Sequence, residues 1–187
     1  EEDGYESDLE RLFVYNIATG DRKWVSEGWD YNVGNMQWNG TGEIWFTSPY
    51  LGRQPIFNIS LADGKITRVT VSDHDMGSLQ MENGVLVAGI QSMARPTEVA
   101  KVDMGSGQFS MITDVNGHIY EGIKMGKTEE RYIKTKDGKD LQSWIIYPPD
   151  FDPSKKYPAL LYCKGGPQGP LGQSWSYRWN YQMMAAN

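Results

Sequence analysis

The end of one apolar run carries the residues best suited to chemistry. Residues 157–163 read Tyr-Pro-Ala-Leu-Leu-Tyr-Cys, and Lys164, Gly165 and Gly166 follow directly. An apolar run bounded by proline and glycines is typical of a central parallel strand, here residues 159–163. A backbone N–H at the end of such a strand can stabilise the oxyanion of an acyl-transfer reaction, and glycine lets a substrate carbonyl come close. A tight turn after a core strand explains the same residues equally well.

Two further residue types could bind ligands. Arg53 and Arg95 lie 42 residues apart, and each comes shortly before a proline. They are either a pair of substrate-binding clamps or arginines that brace loops. His74 and His118 are the only histidines, and neither has the cysteine or carboxylate neighbours of a zinc site. We therefore interpret both as ordinary loop residues and expect neither a metal nor a cofactor.

The composition and charge of the chain limit the classes of partner that it could bind. The net charge of −6 and the absence of a basic block argue against nucleic acid as a partner. No apolar stretch approaches the roughly 18 residues that a membrane span needs. Cys163 is the single cysteine, which excludes an internal disulfide, and its place in the apolar run predicts a small core residue. An acidic start without Met and an apolar end predict a fragment of a longer protein.

An internal repeat organises the first two-thirds of the chain. Residues 12–25, 56–70 and 98–113 each consist of a β-rich run, a glycine turn and a second β-rich run. The turn glycines are Gly20, Gly64 and Gly107, at intervals of 44 and 43 residues. A second set of positions repeats with the same step: Asp30, Asn32, Gly34, Met36 and Gln37 correspond to Asp73, Asp75, Gly77, Leu79 and Gln80.

The repeat has the size of a β-propeller blade. Residues 43–47 and 85–89 add a further strand before each hairpin, so each unit offers about four strands in about 43 residues. We predict about three such blades, with most of the tryptophans filling the wedges between them. Trp29-Asp30 does not recur in the next unit, where Ser72-Asp73 stands, so a WD40-type repeat is disfavoured.

A second domain is predicted after the repeat stops. Residues 1–122 form the propeller part, residues 122–128 a glycine-containing joint, and residues 128–187 the start of another domain. Asp137-Gly138 predicts a hairpin between residues 131–135 and 141–147. The run from Gln182 to Ala186 is strongly helix-forming.

These features together resemble the prolyl oligopeptidase family of serine peptidases, in its dipeptidyl-peptidase and acylaminoacyl-peptidase branch. The resemblance is detailed over residues 128–187 and architectural over residues 1–117. The residues that carry it are Asp137-Gly138, Leu141-Gln-Ser-Trp144, Tyr147-Pro-Pro149, residues 151–158 and Tyr162-Cys-Lys-Gly-Gly-Pro-Gln168. The resemblance implies a propeller that caps an α/β-hydrolase domain, with the substrate peptide held between them.

The resemblance also implies a Ser, Asp, His triad, which this chain does not supply. A serine nucleophile needs a Gly-x-Ser-x-Gly turn and a histidine base. No such turn occurs, and no histidine follows His118. We therefore expect the triad to lie beyond Asn187. The family position before the Gly-Gly-Pro is a tyrosine or a histidine, whereas Lys164 stands here, so the backbone N–H of Lys164 or Gly165 is the expected oxyanion donor.

The resulting prediction is a fragment of a serine exopeptidase, inactive alone, whose parent releases dipeptides or acylated residues from peptide N-termini. Peptides are the expected partners, a homo-oligomer of the parent is left open, and the compartment is either the bacterial periplasm or the cytoplasm. The alternative is a non-enzymatic propeller that acts as a scaffold or protein-binding module. A Gly-x-Ser-x-Gly turn beyond this chain would favour the peptidase.

Overall fold

The computed structural model describes residue 4, residues 8–166 and residues 169–186. The acidic residues Glu1, Glu2, Asp3 and Glu6 lie outside this part. The elements within it, in chain order, are β1 (Phe13–Tyr15), β2 (Arg22–Trp24), β3 (Gly34–Asn39), β4 (Glu43–Thr47), β5 (Ile56–Ser60), β6 (Ile66–Arg68), β7 (Asp75–Glu82), β8 (Val85–Ser92), β9 (Arg95–Val102), β10 (Phe109–Met111), α1 (Gly117–Tyr120), β11 (Thr128–Lys134), β12 (Asp140–Ile146) and α2 (Tyr181–Ala186).

Most strands belong to two four-stranded antiparallel sheets in which neighbours in sequence are neighbours in space. Sheet 1 has the order β3-β4-β5-β6 and sheet 2 the order β7-β8-β9-β10. The predicted blades are confirmed for these two units. Among the described residues, the first predicted unit contains only the hairpin β1-β2. The predicted propeller part therefore has two four-stranded sheets and this hairpin, instead of the expected three four-stranded sheets.

The predicted repeat is confirmed at its turns. Gly20, Gly64 and Gly107 adopt φ values of 78°, 72° and 70°, which residues with a Cβ avoid. Each donates its N–H to the carbonyl of the residue four positions before it, at 2.8 Å. Glycine is required here because the chain must reverse through a left-handed conformation.

The second set of repeated positions marks an irregularity in the first strand of each sheet. The register shifts between Gly34 and Gln37 in sheet 1 and between Gly77 and Gln80 in sheet 2. Asn35, which follows the first glycine, accepts a hydrogen bond from the Ser78 N–H at 3.0 Å. The two β-bulges therefore contact each other and join the sheets along one edge.

The hydrophobic core lies between successive sheets. One cluster joins Trp45 and Ile56 of sheet 1 to Met76, Leu79 and other apolar residues of sheet 2. A second cluster joins Leu12 and Val25, beside the β1-β2 hairpin, to the opposite face of sheet 1. Sheet 1 is thus covered on both faces, as the bulky alternation in β4 predicts. Trp45 lies in the core between the sheets, as expected for a propeller, and Trp29 packs against the second cluster. The prediction that most tryptophans fill such wedges is wrong, because Trp45 is the one buried tryptophan and Trp38 and Trp179 are exposed.

The predicted hairpin and C-terminal helix are confirmed. The strands β11 and β12 pair in antiparallel register from Thr128 opposite Ile146 to Lys134 opposite Asp140. Gly138 lies in the turn between them with φ 82°. The helix α2 begins at Tyr181, one residue before the predicted run.

The predicted buried strand over residues 159–163 is wrong for this structure. This segment forms no strand, and Leu160 and Leu161 are 75% and 85% exposed. A central strand needs neighbours that take up its N–H and C=O groups and cover its faces, and no described residues stand in those places. Cys163 is exposed for the same reason, so its prediction as a core residue is also wrong.

The short helix α1 lies just before the predicted joint and contains His118, so the prediction that this histidine lies in a loop is wrong. The boundary between residues 122 and 128 and the assignment of residues 128–187 to a hydrolase domain remain predictions. Of the helices in the described ranges, none is long and apolar enough to cross a membrane.

Candidate active site

The candidate oxyanion residues, Lys164 and Gly165, lie in an exposed part of the chain. Lys164 and Gly165 are exposed, and a Cβ on Gly165 would have no atom within 4 Å. Nζ of Lys164 donates to the carbonyl oxygen of Gly165 at 2.9 Å. Pro167 and Gln168 of the predicted loop lie outside the described residues. Among the described residues, none therefore fills the position that a side chain on Gly165 would occupy.

The second half of the loop that begins at Lys164 contacts the propeller sheets and the β11-β12 hairpin. The indole N–H of Trp144, on β12, donates to the carbonyl of Leu171 at 3.3 Å. The side-chain oxygen of Gln173 accepts from the N–H of Met93, next to β8, at 3.5 Å. The N–H of Trp175 donates to Oε1 of Gln91 at 3.1 Å. Residues 171–175 thus lie at the contact between sheet 2 and the β11-β12 hairpin.

Asp75, the first residue of β7, faces this seated part of the loop. A Cβ placed on Gly172 would lie 2.7 Å from Oδ2 of Asp75. Burial raises the pKa of the Asp75 carboxyl, and hydrogen bonds from the backbone N–H groups of Gln173 and Gln54 lower it by less. The carboxylate is therefore held against the loop in a partly dehydrated place.

Three aromatic side chains pack together near the start of the loop. The rings of Tyr162 and Tyr181 are 5.2 Å apart in an edge-to-face arrangement, and Trp179 lies 6.5 Å from Tyr162. Burial, with a contribution from Tyr162, raises the pKa of Tyr181 to about 12. The Tyr181 phenol is thus neutral at physiological pH, and the group serves to pack the segment that leads to Lys164.

The helix α2 is fastened to the joint between the predicted domains. Oε1 of Gln182 accepts the N–H of Gly126 at 2.7 Å, and Nε2 of Gln182 donates to the carbonyl of the same residue at 3.2 Å. Gln182 is buried. This pairing ties the residues that follow the loop to the chain that enters β11.

Arg53 lies between sheet 1 and the β11-β12 hairpin. Its guanidinium donates to Asp73 at 2.6 Å, to Glu130 at 2.8 Å and to the carbonyl of Leu51 at 2.8 Å. The group also lies 4.8 Å from the ring centre of Trp144. These contacts favour the loop-bracing alternative for Arg53, and its substrate-binding role remains a prediction.

Arg95 lies at the start of β9 with an exposed side chain. Its guanidinium stacks 4.4 Å from the ring centre of Tyr120, which in turn lies 6.1 Å from Trp175. Arg53 and Arg95 are thus not brought to one point by these contacts. Through Tyr120, Arg95 is connected to Trp175, which follows the loop. Its role in substrate binding remains a prediction.

The histidines carry no catalytic arrangement in the described part of the chain. His74 packs edge-on against Phe109, with ring centres 5.3 Å apart, and burial lowers its pKa. No group of three or more His, Cys, Asp or Glu residues that could hold a metal ion occurs among the described residues.

Sequence reasoning missed Asp75 and Gln173 as candidate site residues. In the sequence, Asp75 stands out only as a repeated position and Gln173 only as the end of the loop. The one available signal was that Asp75 is acidic, whereas the corresponding position of the preceding unit is Asn32. Their contact joins residues far apart in the chain, so only the folded structure brings them together.

Four-stranded antiparallel sheets that stack with a hydrophobic core between them define the class of β-propeller proteins. The comparisons with known proteins agree with this class. The chain is 40% identical to dipeptidyl-peptidase 5 of Porphyromonas gingivalis over 186 residues, which cover 99% of this chain and 27% of that protein. It is 38% identical to dipeptidyl-peptidase 5 of Porphyromonas endodontalis over 188 residues, or 100% of this chain and 27% of that protein.

The fold agrees with that of a solved structure. The acylaminoacyl peptidase of Pyrococcus horikoshii superposes with a TM-score of 0.78 at 24% identity, covering 98% of this chain and 28% of that one. No protein-family model matches the chain. The relatives confirm the predicted resemblance: the chain is similar to dipeptidyl-peptidases over almost its whole length, and it spans about 27% of the length of the curated relatives that it matches.

Proposed function

We propose that this chain is part of a serine exopeptidase that removes dipeptides or acylated residues from the N-termini of peptides. The observation that carries the proposal is the identity of 40% to a dipeptidyl-peptidase 5 across 99% of the chain. It covers the propeller sheets and the glycine loop alike. A non-enzymatic scaffold would have no need of the open Lys164-Gly165 segment.

In this proposal the chain contributes three parts of the machinery. Residues 1–122 are blades that restrict access to the site, residues 128–187 begin the hydrolase domain, and the loop at Lys164 supplies an oxyanion donor. The rest of that domain supplies the strands that would pair with residues 159–163, together with the serine, aspartate and histidine. The exposed apolar side chains of Leu160 and Leu161 support this, because a complete sheet would bury them.

The backbone N–H of Lys164 or Gly165 would act on the substrate. Within the described residues neither N–H donates a hydrogen bond, and both residues are exposed. A free N–H at a strand end can stabilise the negative charge that develops on the substrate carbonyl oxygen, which typically contributes about 3 to 4 kcal/mol to transition-state stabilisation. Peptides would enter between this loop and the blades.

The test is hydrolysis by a longer protein of the relatives' size that contains this chain. We expect it to release p-nitroaniline from dipeptidyl p-nitroanilides with a free amino terminus or from N-acetyl-aminoacyl p-nitroanilides. The two substrate sets separate the dipeptidyl and the acylaminoacyl alternatives. The matched control replaces the serine of its Gly-x-Ser-x-Gly turn by alanine, which should abolish the activity. A folded longer protein that hydrolyses neither set, or a serine variant that keeps full activity, would overturn the proposal.

A further inference from the structure

Arg53 and Arg95 stand at corresponding places of the two sheets, but their surroundings differ. Arg53 lies between β4 and β5, and Arg95 is the first residue of β9, 42 residues later. The guanidinium of Arg53 already binds the carboxylates of Asp73 and Glu130, at 2.6 and 2.8 Å, and the carbonyl of Leu51. Arg53 therefore has little capacity left for a ligand.

Arg95 differs from Arg53 in its partners. The position 43 residues after Asp73 is Asn116, an amide that carries no charge. Within the part of the chain that the structure describes, Arg95 forms no ion pair, and its guanidinium donates no hydrogen bond. Arg95 is an exposed residue. The N–H donors of its guanidinium are thus available to a ligand.

Glu98, the one acid of β9, is bound to other groups. Exposed and buried residues alternate along β9, which puts Arg95 and Glu98 on opposite faces of the sheet. The carboxylate of Glu98 accepts the hydroxyl of Thr113, and it accepts the N–H of Asn116 at 3.3 Å. The hydrogen bond from Thr113 is the largest cause of the lowered Glu98 pKa, and the charge of Arg95 contributes least. Glu98 therefore does not occupy the guanidinium of Arg95.

Aromatic side chains hold the guanidinium of Arg95 by its face. It lies 4.4 Å from the ring centre of Tyr120, and Tyr120 in turn lies 6.1 Å from Trp175 in an edge-to-face arrangement. The N–H of Trp175 donates to Oε1 of Gln91, near the end of β8, at 3.1 Å. A guanidinium that is stacked on a ring keeps its edge free, and that edge matches the two oxygens of a carboxylate.

This guanidinium lies where a peptide would pass in the proposed peptidase. Through Tyr120 and Trp175 it borders the contact between sheet 2 and residues 171–175, which belong to the second predicted domain. We propose that Arg95, held by Tyr120, binds a carboxylate of the substrate peptide. This inference rests on the proposed peptidase function, in which peptides enter between the blades and the loop.

The carboxylate has two sources in a peptide, the C-terminus and an acidic side chain. Both present two oxygens to the guanidinium, so the chemistry of recognition is the same. One pair of substrates tests the C-terminus and consists of a tetrapeptide with a free C-terminal carboxylate and the same peptide as its C-terminal amide. A second pair tests the side chain and carries Glu or Gln at the third position of the amidated tetrapeptide.

The test measures kcat/KM for both pairs in the longer active protein, with the N-terminus, free or acetylated, that this protein prefers. We expect the carboxylate member of at least one pair to be cleaved about 10- to 100-fold more efficiently, which is the effect of one hydrogen-bonded contact between ionised groups. The pair that shows the difference identifies the source of the carboxylate.

Three variants assign the preference to Arg95. Arg95→Gln should remove it. Arg22→Gln is the matched control and should keep it, because Arg22 also lies over an aromatic ring, 5.1 Å from the centre of Phe13, but belongs to the β1-β2 hairpin. Arg95→Lys retains the charge without the planar fork and should keep part of the preference.

Binding without turnover gives a second readout. In the longer protein with its serine nucleophile replaced by alanine, calorimetry should show about 10- to 100-fold tighter binding of the preferred carboxylate peptide than of its neutral partner. Arg95→Gln should abolish this difference. Equal kcat/KM values within both pairs, or a preference that persists in Arg95→Gln, would overturn the carboxylate site and leave the peptidase proposal intact. A folded longer protein that hydrolyses neither peptides nor p-nitroanilides would overturn the peptidase proposal and, with it, this inference.

Discussion

At the scale of single residues, Lys164 is the clearest departure from the pattern of the family that this chain resembles. Its ammonium donates to the carbonyl of Gly165 at 2.9 Å. The side chain therefore closes a local turn, and its N–H remains free within the described residues. In the proposed peptidase the backbone would therefore stabilise the oxyanion, while the ammonium has a local structural task.

Truncation of Lys164 tests this division of tasks. We expect Lys164→Ala, in the longer active protein, to lower kcat/KM by no more than about tenfold, because the backbone donor stays in place. Loss of a true oxyanion donor costs about 10²- to 10³-fold in kcat. Lys164→Met, which keeps the stem and removes the charge, is the matched variant. A fall of about 100-fold or more in both variants would show that the ammonium is the donor.

At the scale of elements, each hairpin of the repeat is built with the same hydroxyl contact. The hydroxyls of Ser26 and Thr70 accept the N–H groups of Leu12 and Ile56 at 2.9 Å. Thr113 accepts the N–H of Val99 at 2.9 Å. These three hydroxyls stand at the same intervals as the turn glycines, 44 and 43 residues. Each satisfies a backbone donor one position beyond the last residue pair of its hairpin, where the partner strand offers no ladder carbonyl.

The element scale also shows how much of the fold could be predicted from sequence. Gly20, Gly64 and Gly107 predicted the three hairpins because a left-handed turn leaves few alternatives to glycine. The residues of β4 were predicted without error. The run at residues 159–163 predicted a strand that does not form, because an apolar run records a tendency to be buried but not which strands will cover it.

The turn glycines differ in their tertiary surroundings, which gives a prediction at this scale. A Cβ on Gly107 would lie 1.9 Å from the carbonyl oxygen of Val69, which follows sheet 1, whereas a Cβ on Gly64 would meet no atom within 4 Å. Both residues have nearly equal positive φ. We expect Gly64→Ala to lower the free energy of unfolding by about 1 to 2 kcal/mol, from backbone strain alone.

Gly107→Ala should cost about 1 to 3 kcal/mol more than Gly64→Ala, because the two sheets must also move apart. Urea denaturation of both variants, followed by circular dichroism, measures the difference. Equal destabilisation by the two substitutions would show that the contact of Gly107 with Val69 carries no energy.

At the scale of the whole molecule, Arg53 and Glu130 connect the propeller sheets to the β11-β12 hairpin. The hydrogen bond from Arg53, with smaller contributions from Tyr132 and Gln142, lowers the pKa of Glu130 to about 2. Their side chains are 12% and 23% exposed. The pair is thus partly dehydrated and more strongly coupled than an ion pair at the surface.

This pair makes stability depend on pH. The folded-state pKa of Glu130 lies below its ordinary value of 4.5, so its contribution is present above about pH 4.5 and is lost as pH falls towards 2. After allowance for screening by solvent, we expect Glu130→Gln to reduce the free energy of unfolding at pH 7 by about 1 to 2 kcal/mol. The difference from the parent protein should vanish near pH 2.

Urea denaturation at a series of pH values measures this difference. Asp150→Asn is the matched control, because Asp150 pairs with Lys124 while both side chains are more than two-thirds exposed, at 72% and 74%. Its effect should be small at every pH. A difference between Glu130→Gln and the parent protein that did not change with pH would contradict the assignment.

The sequence by itself determined the repeat, its turns, the hairpin around Gly138 and the family that the chain resembles. These depend on local requirements: positive φ at a turn, alternation along a strand, and short motifs with fixed spacing. Only the tertiary structure decided which residues meet across the chain, such as Asp75 with Gln173 and Arg53 with Glu130. Contacts of this kind depend on how whole sheets pack, which no local pattern of residues encodes.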